Sequence, residues 1–221
     1  MFVTAIGTDC GKTHVSAAIL REFVRWGRPA LALKPVMSGF APDQLEASDA
    51  GRLLSAMDQP VSEAAIARMC WKSFVEPLAP NVAARRAGVR LDYAELRSFV
   101  SDRLAAHDGP ALVEGAGGVM SPLTDTHTNL DLADDLGLQV LLLASSYLGA
   151  VSHTLTALDV LERRGHAPKA IVVTQPSASV GAPGAFIEEL GRWTGIPLVA
   201  APFAPEGDQM LGADLVARLF S

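Results

Sequence analysis

The segment Ala5-Ile6-Gly7-Thr8-Asp9-Cys10-Gly11-Lys12-Thr13 constrains this chain more than any other. It lies between an apolar run, Phe2–Ile6, and a stretch, Lys12–Trp26, with Val15, Ile19, Phe23 and Trp26 at helical spacing. A buried strand, a glycine-bearing turn and a helix in that order aim backbone N–H groups and a helix N-terminus at one point, which is a seat for phosphate. Gly11-Lys12-Thr13 reads as the end of such a loop: Lys12 reaches β- and γ-phosphates, and the Thr13 hydroxyl is placed for Mg²⁺. Gly7 stands one position too close for the common spacing of Gly, four residues, Gly-Lys-Thr. Ala5 stands where a longer variant of the loop carries its first glycine. The plain alternative is a glycine turn before a helix, and the strand-to-helix context favours nucleotide binding over it.

Five more apolar runs follow, at Ala30–Leu33, Ala111–Val113, Val140–Ala144, Ala170–Thr174 and Leu198–Ala201. They are continuous rather than alternating, as strands buried on both faces are. Helix-period segments lie between them, over Asp92–Ala106, Val151–Arg164, Ala185–Thr194 and Gly212–Phe220. The alternation predicts an α/β fold of the P-loop NTPase kind, a parallel β-sheet flanked by helices on both faces. Its ligand belongs beyond the carboxyl ends of the strands. One domain is expected over residues 1–221. Pro35–Leu91, rich in Pro, Ala and Gly and without a clear strand, is expected to be loops and short helices inserted over the sheet edge.

Composition narrows the function classes. The chain has 221 residues, 49% of them apolar, and a net charge of −6. It has core material in plenty and too little cationic surface for a general nucleic-acid binder. Its longest strongly apolar run, Val140–Ala144, is far short of a membrane span. With a strand-like run starting at Phe2, no signal peptide is expected, and two cysteines, Cys10 and Cys70, make no disulfide framework. A cytoplasmic protein with no membrane partner is expected.

The remaining candidates sit at strand ends. Ala111-Leu112-Val113-Glu114 ends in an acid and runs into Gly115-Ala116-Gly117-Gly118, so Glu114 is a candidate Mg²⁺ ligand. A solvated strand-end acid is the bland alternative. Asp49, after Ser48, fits equally a second metal ligand or a helix N-terminal acid. Of 18 basic residues only Lys12, Lys34, Lys72 and Lys169 are lysines. Two of these four fall in strand-end loops, which hints at a need for a compact ammonium.

In this order and spacing, these residues resemble the dethiobiotin synthetase family along nearly the whole chain. The resemblance rests on the loop after Phe2-Val3-Thr4, on Lys34-Pro35-Val36 with Ser38-Gly39, and on Ser48-Asp49. It continues in Glu76-Pro77, Val113–Gly118, Pro122–Asp125 and Leu148-Gly149 ahead of His153. It implies an ATP- and Mg²⁺-dependent ring closure of 7,8-diaminopelargonate with CO₂, giving dethiobiotin, ADP and phosphate through a carbamate and a carbamic-phosphoric anhydride. It implies catalytic roles for Lys12, Lys34 and Thr8, and Mg²⁺ on Thr13, Asp49 and Glu114. ATP would meet Asp9, Cys10, Gly11, Lys12, Thr13 and His14 at the loop, and Gln175, Pro202 and Glu206 at the base and ribose. Substrate would meet Thr8, Lys34 and Ser38. Its carboxylate would sit on Leu148, Gly149 and Ser152 of a neighbouring subunit, so a homodimer is implied. Gln175 stands where the family usually has Asn, and Ser152 where it often has Asn.

Two other classes compete. A partition-type nucleotide-switch ATPase carries a signature Lys five residues before the loop Lys, where this chain has Gly7. A cobyrinate-type amide ligase usually adds a glutamine-hydrolysing domain, which this length does not accommodate. His14, His107, His127, His153 and His166 show no metal spacing, the Cys10 thiol has no role that its N–H lacks, and Trp26, Trp71 and Trp193 are expected in the core or at an interface.

Overall fold

A computed structural model describes residues 1–175, 177, 181–204 and 209–220. The first strand, β1 (Phe2–Ala5), is buried along its length and leads through the phosphate loop into α1 (Lys12–Arg25). β2 (Leu31–Leu33) and β3 (Val36–Ser38) follow, then a 3₁₀ turn at Leu45–Ala47. Next come α2 (Asp49–Ala56), α3 (Glu63–Met69), β4 (Lys72–Phe74), α4 (Pro80–Arg86) and α5 (Tyr93–Ala105). The second half runs β5 (Ala111–Glu114), α6 (Asn129–Asp135), β6 (Val140–Ser145), α7 (Ala150–Arg163), β7 (Ala170–Thr174), α8 (Pro183–Leu190), β8 (Leu198–Ala201) and α9 (Gln209–Leu219).

Six strands form one sheet in the order β2-β5-β1-β6-β7-β8, and every neighbouring pair is parallel. The chain winds outward from β1 to β2, returns through β5, and then winds the other way through β6, β7 and β8. The direction changes around β1, and such a switch opens a crevice beyond the carboxyl ends of the strands. The phosphate loop leaves β1 into that crevice. Val3, Leu33, Val113, Leu141–Ala144 and Ile171–Val173 are all sealed from solvent, which explains why these strands read as unbroken apolar runs.

The expected strands and helices are present with ends shifted by a few residues. The segment Pro35–Leu91 differs from expectation. It contains a second sheet, in which β3 and β4 pair in parallel from Val36↔Lys72 to Ser38↔Phe74. Each of these strands has three residues, too few to show a period in sequence. Helix α6 was not foreseen either; the Thr128 side chain and Asp131 form a reciprocal capping box at its start. Trp71 is half-buried against the core, and Trp26 and Trp193 are exposed on the single chain. No helix among the described residues is long and apolar enough to cross a membrane.

Candidate active site

The phosphate loop is built by backbone geometry. Gly11 caps α1 with φ 74°, a left-handed conformation in which a Cβ would also press on the Thr174 side chain. No side chain caps α1, so its first N–H groups face the crevice. Asp9 likewise has positive φ, at 56°. Ala5, in contrast, is the last residue of β1, buried and outside the positive-φ positions, so alanine meets no backbone penalty there. The loop is tied to its neighbours at both sides. Ile6 N–H donates to Leu143 O, Val119 N–H donates to Ala5 O, and the Thr174 hydroxyl lies 3.1 Å from Cys10 O.

Around this loop the strand ends bring four charges together. Lys12 and Lys34 are 7% and 3% exposed, and Glu114 is 1% exposed. Lys34 Nζ donates to Glu114 Oε1 at 2.7 Å and to Gly115 O at 3.2 Å, and pairs with Asp49 Oδ2 at 2.9 Å. All three hydrogens of the ammonium are thereby used. Lys12 Nζ donates to Gly7 O at 3.1 Å. Two lysines facing two carboxylates make the cluster neutral, which is how a protein tolerates buried charge. Burial by itself would lower Lys34, but Glu114 and Asp49 override it and hold the ammonium above the usual lysine range. For Lys12, burial and then the like charge of Lys34 draw the ammonium below its ordinary value, against the pull of Glu114 and Asp49. Burial raises Asp49, and the adjacent Lys34 outweighs it, so the carboxyl titrates below the usual range.

Thr13 Oγ1 lies 2.9 Å from Asp49 Oδ1 and 2.8 Å from Glu114 Oε1. A hydroxyl has one hydrogen and ionised carboxylates only accept, so Thr13 can donate to one of them at a time. Three oxygens thus converge with one hydroxyl hydrogen between them, and Glu114 Oε1 also accepts from Lys34 Nζ; oxygens gathered in this way are a donor set that suits a hard cation. The second oxygen of Glu114 accepts from Ser16 Oγ at 2.8 Å, which fixes the carboxylate plane. Among the described residues no group of three or more His, Cys, Asp or Glu forms a self-contained metal cage. A hydroxyl and two carboxylates, all oxygen donors, fit Mg²⁺, which takes one or two carboxylates and fills its shell with phosphate and water.

An open cavity of about 830 Å³ covers the loop and collects most of the expected site. Thr8, Asp9, Gly11, Lys12, Thr13 and His14 line its floor. Lys34, Ser38 and Asp49 line the half beyond β2 and β5; Gln175 and Pro202 line the half beyond β7 and β8. Cys10 stays out of the cavity: its side chain is buried with Sγ toward Thr8 O, and burial raises the thiol, so only its backbone serves the loop. Glu114 stands behind Thr13 rather than in the wall. Leu148, Gly149 and Ser152 are exposed at the start of α7, outside the cavity of the same chain. Glu206 lies outside the described residues.

The structure adds residues that sequence reasoning did not single out. Asn129, wholly buried, donates from Nδ2 to Ala116 O and Gly118 O, both at 2.7 Å, and so holds the glycine loop after Glu114. Its place beside the Thr128 capping box was the available signal. Gln175 Oε1 accepts the Phe203 N–H at 3.2 Å, which joins the end of β7 to the loop after β8. Phe203 is 43% exposed and lines the cavity. Arg52, on α2, lines it too.

Comparison with known proteins bears on the fold and the family. The AAA domain family matches residues 1–202. The ATP-dependent dethiobiotin synthetase BioD of Phenylobacterium zucineum is 49% identical over 206 residues, 91% of this chain and 87% of the relative. Those of Methylobacterium nodulans and Anaeromyxobacter dehalogenans are 42% and 39% identical, covering 89% and 93% of this chain and 89% and 91% of their own lengths. Among solved structures, the MinC:MinD cell division protein complex of Aquifex aeolicus superposes with TM-score 0.52 at 9% identity, covering 96% of this chain and 84% of that one. A plasmid partition protein of Borrelia burgdorferi gives 0.53 at 12% identity, covering 99% and 96%. At such identities the likeness shows the P-loop fold alone. The extent and identity of the sequence matches decide the family: this chain belongs to the ATP-dependent dethiobiotin synthetases.

Proposed function

We propose that this enzyme closes 7,8-diaminopelargonate and CO₂ into dethiobiotin at the expense of ATP, releasing ADP and phosphate. The observation that carries the reading is the second buried ammonium. Lys34 stands beside the phosphate loop, seated by Glu114, Asp49 and Gly115 O, where a nucleotide-binding site alone needs only Lys12. A reaction that joins two anions, a carbamate and a γ-phosphate, needs that added positive charge.

The chemistry balances in three steps. One substrate amine adds to CO₂ and loses a proton, giving a carbamate. A carbamate oxygen attacks the γ-phosphorus, and the bond to the ADP oxygen breaks. The second amine attacks the carbamoyl carbon, the C–O bond to phosphate breaks, a proton leaves, and a cyclic urea results. Lys12 binds the β- and γ-phosphates and the charge that develops between them. Lys34 faces the carbamate and the anhydride, and Thr8 and Ser38 orient the reacting amines. Thr13, Asp49 and Glu114 would hold Mg²⁺, which supplies charge neutralisation to the phosphates when bound. Gln175 and Pro202 receive the base, with the Phe203 ring beside them; Cys10, Gly11 and His14 complete the loop around the phosphates, and Asp9 flanks it.

The reading also includes a homodimer. The start of α7, with Gly149 as N-cap and no side-chain cap, offers free N–H groups to a carboxylate. They lie outside the cavity of their own chain and would serve a substrate tail held by a second copy. Leu148, fully exposed in one chain, and Ser152 would then meet that substrate.

The test is phosphate release from ATP, Mg²⁺ and bicarbonate, with and without the diamine, followed by product mass. Diamine-dependent release with the cyclic-urea mass is expected. Release that ignores the diamine, or none with it, would overturn the reading.

A further inference from the structure

The cationic groups of the cavity are unevenly engaged. Lys34 uses all three hydrogens on Glu114, Asp49 and Gly115 O, and Lys12 donates to Gly7 O. These two lysines balance the two carboxylates, and Asp9 adds a further negative charge to the lining. For an incoming oxyanion the lysines therefore leave Lys12's remaining hydrogens as donors, while Lys34 acts through its charge alone, and a triphosphate with one divalent ion is itself still an anion. Arg52 is the remaining Lys or Arg among the described lining residues. It is exposed, its backbone N–H donates to Ser48 O at the start of α2, and its guanidinium has no hydrogen-bond or ion-pair partner among the described residues.

Its placement is fixed by the backbone of α2. Ser48 Oγ accepts the Gly51 N–H at 3.0 Å and donates to Leu45 O at 2.6 Å. A Cβ on Gly51 would overlap the Leu45 carbonyl oxygen and crowd Glu46 Cα, so the helix start sits directly on the 3₁₀ turn. Asp49 and Arg52, three residues apart on α2, lie on one face of that helix. The turn that locks Asp49 against Lys34 thus also sets Arg52 over the β2–β5 half of the cavity, away from Gln175 and Phe203.

We propose that Arg52 is a further anion-binding residue of the active site, whose guanidinium takes two oxygens of the oxyanion that enters this half. The source is either the γ-phosphate of the nucleotide or the carbamate of the substrate; both present paired oxygens that a planar guanidinium fits. The proposal rests on the ring-closing reading for the second source but not for the first. Being exposed and without a partner, Arg52 contributes little to folding, so its removal separates function from stability.

The experiment compares the wild type with Arg52→Ala and Arg52→Lys. Thermal midpoints are read first and are expected to agree. Calorimetric affinities for Mg²⁺ with ADP and with a non-hydrolysable ATP analogue form one arm. If Arg52 holds the γ-phosphate, the analogue weakens about 10- to 100-fold in Arg52→Ala while ADP is unchanged. Steady-state turnover with the diamine and bicarbonate forms the other. If Arg52 holds the carbamate, nucleotide affinities stay level, turnover falls by a similar factor, and added guanidinium restores part of it. Arg52→Lys is expected between the two, since it keeps the charge and loses the fork. Arg52→Ala with both affinities and turnover within about twofold of wild type overturns the proposal. A wild type without diamine-dependent turnover overturns the ring-closing reading instead, and the nucleotide arm still decides whether Arg52 meets the phosphate.

Discussion

The two halves of the cavity are built on opposite plans. Beyond β2 and β5 the working groups are buried ions: Lys34 and Glu114 are almost sealed from solvent, and each hydrogen-bonds several partners. Beyond β7 and β8 the described lining is neutral and more open, with Pro202 and Phe203 exposed and Gln175 half-buried. Buried ions cannot be left unpaired, so the first half is over-determined: changing one group leaves another without its partner. The second half presents apolar surface and one amide, where a change costs contact area and little else. The difference teaches where this enzyme is intolerant. The charged groups are held in place by mutual constraint, and the half proposed for the base is held by a looser set of contacts.

The largest effect expected is at the boundary of the two halves. Lys12→Ala should lower turnover by roughly three orders of magnitude or more through lost transition-state charge stabilisation. Near-normal turnover would remove the phosphate-loop assignment. Lys34→Met should act on both activity and folding. It leaves Glu114 buried without its cation, and breaking such a pair costs about 3–5 kcal/mol. A urea-unfolding midpoint close to wild type would show that the cluster is not mutually constrained.

A pH series sharpens the same point. Lys34 holds the Asp49 carboxyl below its ordinary range. Asp49 thus contributes stability that is present above the unfolded carboxylate value, near about 3.9, and is lost as pH falls through the lower folded value. Urea midpoints of wild type and Asp49→Asn should therefore converge on acidification from about pH 5 to about pH 2. A constant gap would detach Asp49 from Lys34. The smallest effect belongs to the other half. Phe203→Ala should raise KM for ATP by only about two- to fivefold and leave kcat near wild type, as loss of a partly exposed aromatic surface does. A large fall in kcat would break the comparison, because the base half would then be coupled to the chemistry.

How much of this was legible in sequence follows the same division. Gly11-Lys12-Thr13, Lys34 and Glu114 were legible because each is a residue type with a chemical role at a strand end, and strand ends are announced by long apolar runs. The six-stranded sheet was legible for the same reason. Strands β3 and β4 were not, since three residues carry no period and their pairing across the chain from Val36 to Lys72 is a tertiary fact. Asn129, Thr174 and Arg52 were not, because an amide, a hydroxyl or a guanidinium acquires its role from what the fold sets beside it. Ala5 stands where a longer variant of the loop carries glycine, and its backbone conformation decides whether that matters. At the end of a strand with ordinary φ, alanine is accommodated.

The proposed reaction turns on a carbamate oxygen attacking the γ-phosphorus in the half of the cavity that holds Lys34. It is tested most directly by supplying ¹⁸O-bicarbonate with ATP, Mg²⁺ and 7,8-diaminopelargonate, and reading the isotopic mass of the released phosphate at early times. One ¹⁸O carried from carbamate into phosphate is expected, only when the diamine is present. Unlabelled phosphate accompanied by cyclic-urea product would contradict it.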